Sequence, residues 1–84
     1  MERVEHPLTC QNQLYQTQVG NFRVSTVKLP HTLDDMHYET MVFACDDTGK
    51  VTSFMDLYCR QCHTLEETRA MHEEAVLEYT NASV

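Results

Sequence analysis

Apolar and polar residues alternate along four stretches of the chain, and a helical period takes over after residue 64. From Leu14 to Val19, Tyr15, Thr17 and Val19 oppose Gln16 and Gln18, the period of a half-buried strand. Gly20-Asn21 is a two-residue hairpin signal, because glycine takes the positive φ of a primed turn. A second strand, rich in β-branched residues, runs from Phe22 to Leu29 and stops at Pro30. Residues 30–37 connect it to a third strand, Tyr38 to Cys45. The turn Asp46–Lys50 follows, with Gly49 as its positive-φ residue, and leads to a fourth strand from Val51 to Cys59.

The helix opens with a capping box, Thr64-Leu-Glu-Glu67. The Thr64 hydroxyl accepts from the backbone amide of Glu67, and the Glu67 carboxylate reaches back to the cap; losing such a cap costs about 1 kcal/mol. Leu65, Thr68, Met71, His72, Ala75, Val76 and Tyr79 share one face. Glu66, Glu67, Glu73, Glu74 and Glu78 share the other. The expected fold is α+β: a four-stranded antiparallel sheet of two hairpins with one C-terminal amphipathic helix packed on one face. Residues 1–12 are expected to be loosely ordered, residues 13–80 to form one domain, and residues 81–84 to be a tail.

One helix covers one sheet face. In the third strand Met41, Phe43 and Cys45 alternate against Tyr38, Thr40 and Val42. In the fourth, Val51, Met55, Leu57 and Cys59 alternate against Phe54 and Tyr58. The reading taken is that Tyr38, Val42, Phe54 and Tyr58 lie on the uncovered face, where such a cluster marks a contact surface. The alternative is that the N-terminal segment folds over them.

Eighty-four residues with 42% hydrophobic content suit one small domain, a size at which a dimer interface or a metal adds useful stability. The net charge of -7, with only six Lys and Arg, argues against a nucleic-acid surface and fits either a soluble acidic protein or a ligand for a basic surface on a partner. No stretch approaches the roughly 18 apolar residues of a membrane span, and Met1-Glu-Arg-Val-Glu-His-Pro7 lacks the apolar run of a secretion signal. A cytoplasmic setting with reduced thiols is therefore expected, in which the Asn81-Ala-Ser83 sequon carries no glycan.

Cys59-Arg-Gln-Cys62-His63 invites three chemical readings. It matches the c-type haem attachment signature, which needs export. It matches a redox dithiol, which needs a thioredoxin-like setting and a thiol at a helix N-terminus. As a zinc site, Cys45, Cys59, Cys62 and His63, with Cys10 or His37 in reserve, supply N and S ligands. A structural zinc site normally shows a second ligand pair, and this knuckle has no glycine. The preferred reading makes Cys45 and Cys59 small buried residues and places Cys62 and His63 in a strand-to-helix turn, with no cofactor.

His72, in the middle of the apolar helix face, has no nucleophile or carboxylate nominated by spacing, so a hydrogen bond to sheet backbone is expected. Asp34-Asp35 and Asp46-Asp47 read as loop and turn residues, since neither has the ligand spacing of a calcium loop.

Three segments, Val24-Ser-Thr-Val27-Lys-Leu29, Tyr38-Glu-Thr-Met-Val-Phe43 and Thr64-Leu-Glu-Glu-Thr-Arg-Ala-Met-His-Glu-Glu-Ala-Val76, resemble a family of small proteins encoded by tailed bacteriophages. The resemblance spans about residues 22–79. Relatives often carry an aromatic where Cys62 stands and a glycine where Met71 stands, which weakens a metal role for Cys62. The family has no assigned activity and implies no catalytic residues. It implies an infected bacterial cytoplasm and a protein that binds and disables a host protein or defence complex, such as a CRISPR effector.

That non-enzymatic binding role is the expected function, carried by the open sheet face, the glutamate face, or both. The partner is a host protein or a second copy of the chain, and neither nucleic acid nor membrane. The alternatives are a small structural zinc module and a virion structural or assembly protein.

Overall fold

A computed structural model describes residues 13–29 and 37–82. Strands β1 (Gln13–Val19), β2 (Phe22–Lys28), β3 (Tyr38–Ala44) and β4 (Tyr58–Cys62) form one antiparallel sheet in sequential order. Helix α1 (Leu65–Ala82) packs across it, completing the expected α+β arrangement. The helix continues past residue 80, into the segment expected to be a tail. The remaining segments for which readings were made, including Cys10, Asp34 and Asp35, lie outside the described residues.

Both turn glycines take positive φ, 58° at Gly20 and 90° at Gly49. Gly20-Asn21 joins β1 to β2, with Val19 paired to Phe22. In the second turn one Asp46 carboxylate oxygen accepts from Thr48 N (2.9 Å), Thr48 Oγ1 (2.6 Å) and Lys50 N (3.0 Å). These bonds hold the Asp46 carboxyl below the usual carboxylate range. Gln18 Nε2 ties the two turns together, donating to the carbonyls of Gly20 (3.0 Å) and Asp46 (3.3 Å).

The fourth strand begins later than its composition suggests. A single bridge pairs Cys45 with Val51, and Thr52 N donates to the Ala44 carbonyl at 3.0 Å. Extending that register would set Phe54 against Val42, but Tyr58 takes the place. Residues 53–56 leave the ladder, and Leu57 N rejoins it by donating to the Val42 carbonyl at 2.8 Å. Phe54, Met55 and Leu57 are consequently 65%, 75% and 50% exposed. β4 runs on past the expected strand end at Cys59, so Cys62 lies in the ladder where a turn was expected.

The helix lies on the face assigned above as open. Val24, Val42 and Ala75 are fully buried together, with Val19, Phe22, Tyr58, Val76 and Tyr79 packed around them. Burying each valine contributes about 1.5–3 kcal/mol. Tyr79 closes one end, with ring centroids 4.9 Å from Phe22 and 6.0 Å from Tyr58 and its hydroxyl donating to the Leu57 carbonyl at 3.2 Å. The opposite face is not bare at its centre either, since Ser25, Val27 and Phe43 are buried there.

Candidate functional site

The uncovered-face assignment is corrected residue by residue. Val42 is core beneath α1, and Tyr58 is half-buried against Tyr79. Tyr38 is half-buried on the same face, paired with Cys62. Phe54 is exposed, but on the excursion before β4 and not in a strand. Both alternating sets of β3 are apolar enough to be core, so alternation alone did not choose between them. The face that bears the helix is the one that offers partners to the polar residue on the helix's buried side.

That residue is His72, buried against a stripe of strand threonines. Its Nε2 lies 2.9 Å from Thr17 Oγ1 on β1, and its Nδ1 lies 2.7 Å from Thr26 Oγ1 on β2. Thr26 Oγ1 in turn bonds Thr40 Oγ1 on β3. The expected partner was backbone; the partners are hydroxyls. A neutral imidazole has one donor and one acceptor nitrogen, and hydroxyls serve both. Either tautomer leaves the chain of bonds satisfied. Burial pushes the His72 pKa down, partly opposed by the nearby Glu73 carboxylate.

A hydroxyl–imidazole pair is also the shape of a nucleophile and its base. In such sites a carboxylate holds the imidazole and stabilises its charged form. Here the orienting atom is the hydroxyl of Thr26, and burial disfavours the imidazolium. The arrangement locks helix to sheet. Thr17, Thr26 and Thr40 were not singled out from the sequence; the signal was a polar residue recurring at one face of three apolar strands.

An open cleft of about 580 Å³ runs between β1 and α1, lined by Leu14, Tyr15, Thr17, Arg69, His72 and Val76 among others. Leu14, one of the lining residues, is the extra residue of a bulge where the β1–β2 register shifts. The Tyr15 ring lies 5.4 Å from the His72 ring, tilted by 44°.

Successive strand residues face opposite ways, so Cys59 and Cys62, three apart in β4, point to opposite faces of the sheet. Neither chelation nor a dithiol fits that pair. Contrary to expectation, Cys62 is buried and Cys59 is exposed. The Cys59 thiol is pushed up to about 11 by local burial and by Glu39, whose carboxylate it reaches at 3.5 Å. Burial raises the Cys45 and Cys62 thiols as well. Among the described residues, no three His, Cys, Asp or Glu side chains gather to hold a metal ion.

Glu66, Glu67, Glu73, Glu74 and Glu78 are all exposed, and three are engaged locally. Glu67 accepts from Thr64 N at 3.1 Å while Glu67 N donates to Thr64 Oγ1 at 3.3 Å, the expected capping box. The Thr64 hydroxyl also donates to the Glu67 carboxylate at 3.1 Å, and this bond first, then the one from Thr64 N, lowers the Glu67 pKa. Glu73 pairs with Arg69 at 3.2 Å, and Glu74 pairs with Arg60. Exposed pairs of this kind contribute at most about 1 kcal/mol each. Leu65 and Leu77 remain exposed on the same helix.

No protein-family model, curated protein or solved structure matches the chain. No helix among the described residues is long and apolar enough to cross a membrane.

Proposed function

We propose that the protein is a non-enzymatic, acidic binding protein of phage type that engages a host protein or defence complex in the cytoplasm of an infected bacterium. The observation that carries this reading is the excursion before β4. Phe54, Met55 and Leu57 stand in solvent on a segment pinned at both ends by backbone bonds to Ala44 and Val42. Apolar side chains held out in this way favour a contact surface. The net charge of -7 steers the surface toward a basic partner. The resemblance of residues 22–79 to small tailed-phage proteins supports the setting.

The test is capture of a partner from bacterial lysate on the immobilised full chain, followed by titration calorimetry with the purified partner. Phe54→Ser combined with Met55→Ser should weaken binding by at least about tenfold, equivalent to 1.4 kcal/mol. Both side chains are exposed, so the fold should persist. A purified partner that binds the double variant unchanged would overturn the assignment of this surface. Failure to recover any stoichiometric partner would overturn the binding role itself.

A further inference from the structure

The groove between β1 and α1 is a second, separate surface with its own chemistry. β1 is an end strand of the sheet, and among the described residues no strand pairs with its outer edge. Its sequence, Gln-Leu-Tyr-Gln-Thr-Gln-Val, contains no charge, proline or glycine. Charge and proline are two of the devices that block strand addition at exposed edges, and a bulge is a third. In β1 the bulge is confined to Leu14 near the start of the strand, leaving residues 15–19 in regular register. Beside this edge lies the 580 Å³ cleft, whose floor is Thr17 and His72 and whose walls are Leu14, Tyr15 and Val76. The floor is rigid, since His72 is bonded to both Thr17 and Thr26.

We propose that this groove takes an extended segment of a partner protein as an added strand on β1, with apolar side chains in the cleft and flanking lysines or arginines. The proposal rests on the binding role above and specifies how the partner is held. An edge strand supplies backbone hydrogen bonds, and an adjoining pocket selects alternate side chains; together they form the general architecture of β-strand addition. An uncharged edge accepts a backbone without desolvating a charge. Among the described residues, the only charged side chains lining the cleft are Arg69 and Glu73, which neutralise each other at 3.2 Å. The field around the groove is therefore that of the whole chain, with 13 acidic residues against six basic. That field attracts a basic segment and opposes a second copy of this chain.

The experiment pans displayed random peptides against the full-length protein and titrates the enriched sequence, as a synthetic peptide, into labelled protein by NMR. The expected result is an enriched pattern of alternating apolar residues with Lys or Arg, shifts centred on β1 and α1, and slowed exchange of β1 amides. Leu14→Glu should weaken the peptide by at least about tenfold, and Phe54→Ser should not. No enriched pattern, unchanged binding to Leu14→Glu, or shifts confined to residues 51–57 would each overturn the groove. Self-association by sedimentation that is lost in Leu14→Glu would overturn it in favour of a second copy. A captured host partner that depends on Phe54 but not on Leu14 would leave the binding role standing and remove this inference alone.

Discussion

The Nδ1 atom of His72 lies 2.7 Å from the hydroxyl of Thr26, so one helix side chain closes a hydrogen-bonded line that begins at Thr17 on β1 and ends at Thr40 on β3. Three strands and the helix meet at this buried polar point, beside the apolar cluster of Val24, Val42 and Ala75. Thr26→Val keeps the shape and removes the hydroxyl that serves both His72 and Thr40. Leaving those groups short of a partner should cost about 1–3 kcal/mol. Urea midpoints should fall at constant slope for Thr26→Val and stay nearly unchanged for Thr80→Val at the exposed end of the helix. Equal midpoints for Thr26→Val and the parent would show that the line adds nothing to stability.

The same site sets a pH dependence. Burial holds the His72 pKa below its ordinary 6.5, while the unfolded histidine titrates there. Below 6.5 the unfolded state binds the extra proton, so stability falls with falling pH until the folded-state pKa is passed. The groups facing His72 are the hydroxyls of Thr17 and Thr26, the Tyr15 ring and, at the cleft rim, Arg69 and Glu73. Asp46 and Glu67, whose pKa values are lowered by hydrogen bonds, act in the same direction but only below their unfolded values of 3.8 and 4.5. Denaturation midpoints of the parent should therefore decline between about pH 7 and pH 5, where unperturbed histidine titrates. His72→Gln should flatten that decline and leave the acidic one. An undiminished slope in His72→Gln would place the proton elsewhere.

Much of this architecture was readable in order along the chain, and the exceptions share a cause. Strands β1 to β3, both glycine turns and the Thr64–Glu67 cap depend on local chemistry, and each lies where its residues predicted. The start of β4 depends on which residue reaches Val42. Phe54 and Tyr58 were equally suited by composition, and they differ by an even number of residues, so the alternation of faces was preserved while the register moved. The helix-bearing face also escaped local reading, because Val42 and Phe43 are equally apolar neighbours. On the face that bears the helix, His72 meets the Thr17, Thr26 and Thr40 stripe, a match between distant elements that no local pattern displays. The cleft was invisible for a similar reason: its lining comes from β1 and α1, elements far apart in the chain, and includes the unpaired bulge residue Leu14.

Cys59 should be a slow thiol despite its exposure. Its pKa of about 11 leaves little thiolate near neutrality, first because the sulfur is partly enclosed and then because Glu39 sits beside it. Relative to the ordinary value of 9.0, alkylation at mildly alkaline pH should be roughly a hundredfold slower than in the unfolded chain. Glu39→Gln should recover part of the rate and not all, since enclosure is the larger cause. Peptide mass spectrometry after timed iodoacetamide treatment reports the rate at Cys59 alone. A fast Cys59 in the folded parent would contradict this environment.

Gly49 should be the least replaceable residue of the second turn. Its φ of 90° is a conformation that other residues adopt only under strain, and a Cβ there would lie 2.9 Å from Gln18 Oε1. Gln18 is exposed and can swing its amide end away, but only by giving up its bonds to the Gly20 and Asp46 carbonyls. The Gly49 carbonyl also accepts from Arg23 at 3.1 Å, so a shift of the turn disturbs β2 as well. Gly49→Ala should cost about 1–3 kcal/mol, the range for a strained backbone position. Gly20, at φ 58°, sits in the left-handed region that asparagine tolerates, and Gly20→Asn should cost well under about 1 kcal/mol. Thermal midpoints of the two variants separate the contributions. If both fall equally, backbone strain alone governs the turns and the contact with Gln18 carries no weight; a larger loss in Gly49→Ala that shrinks in combination with Gln18→Ala would assign the difference to that contact.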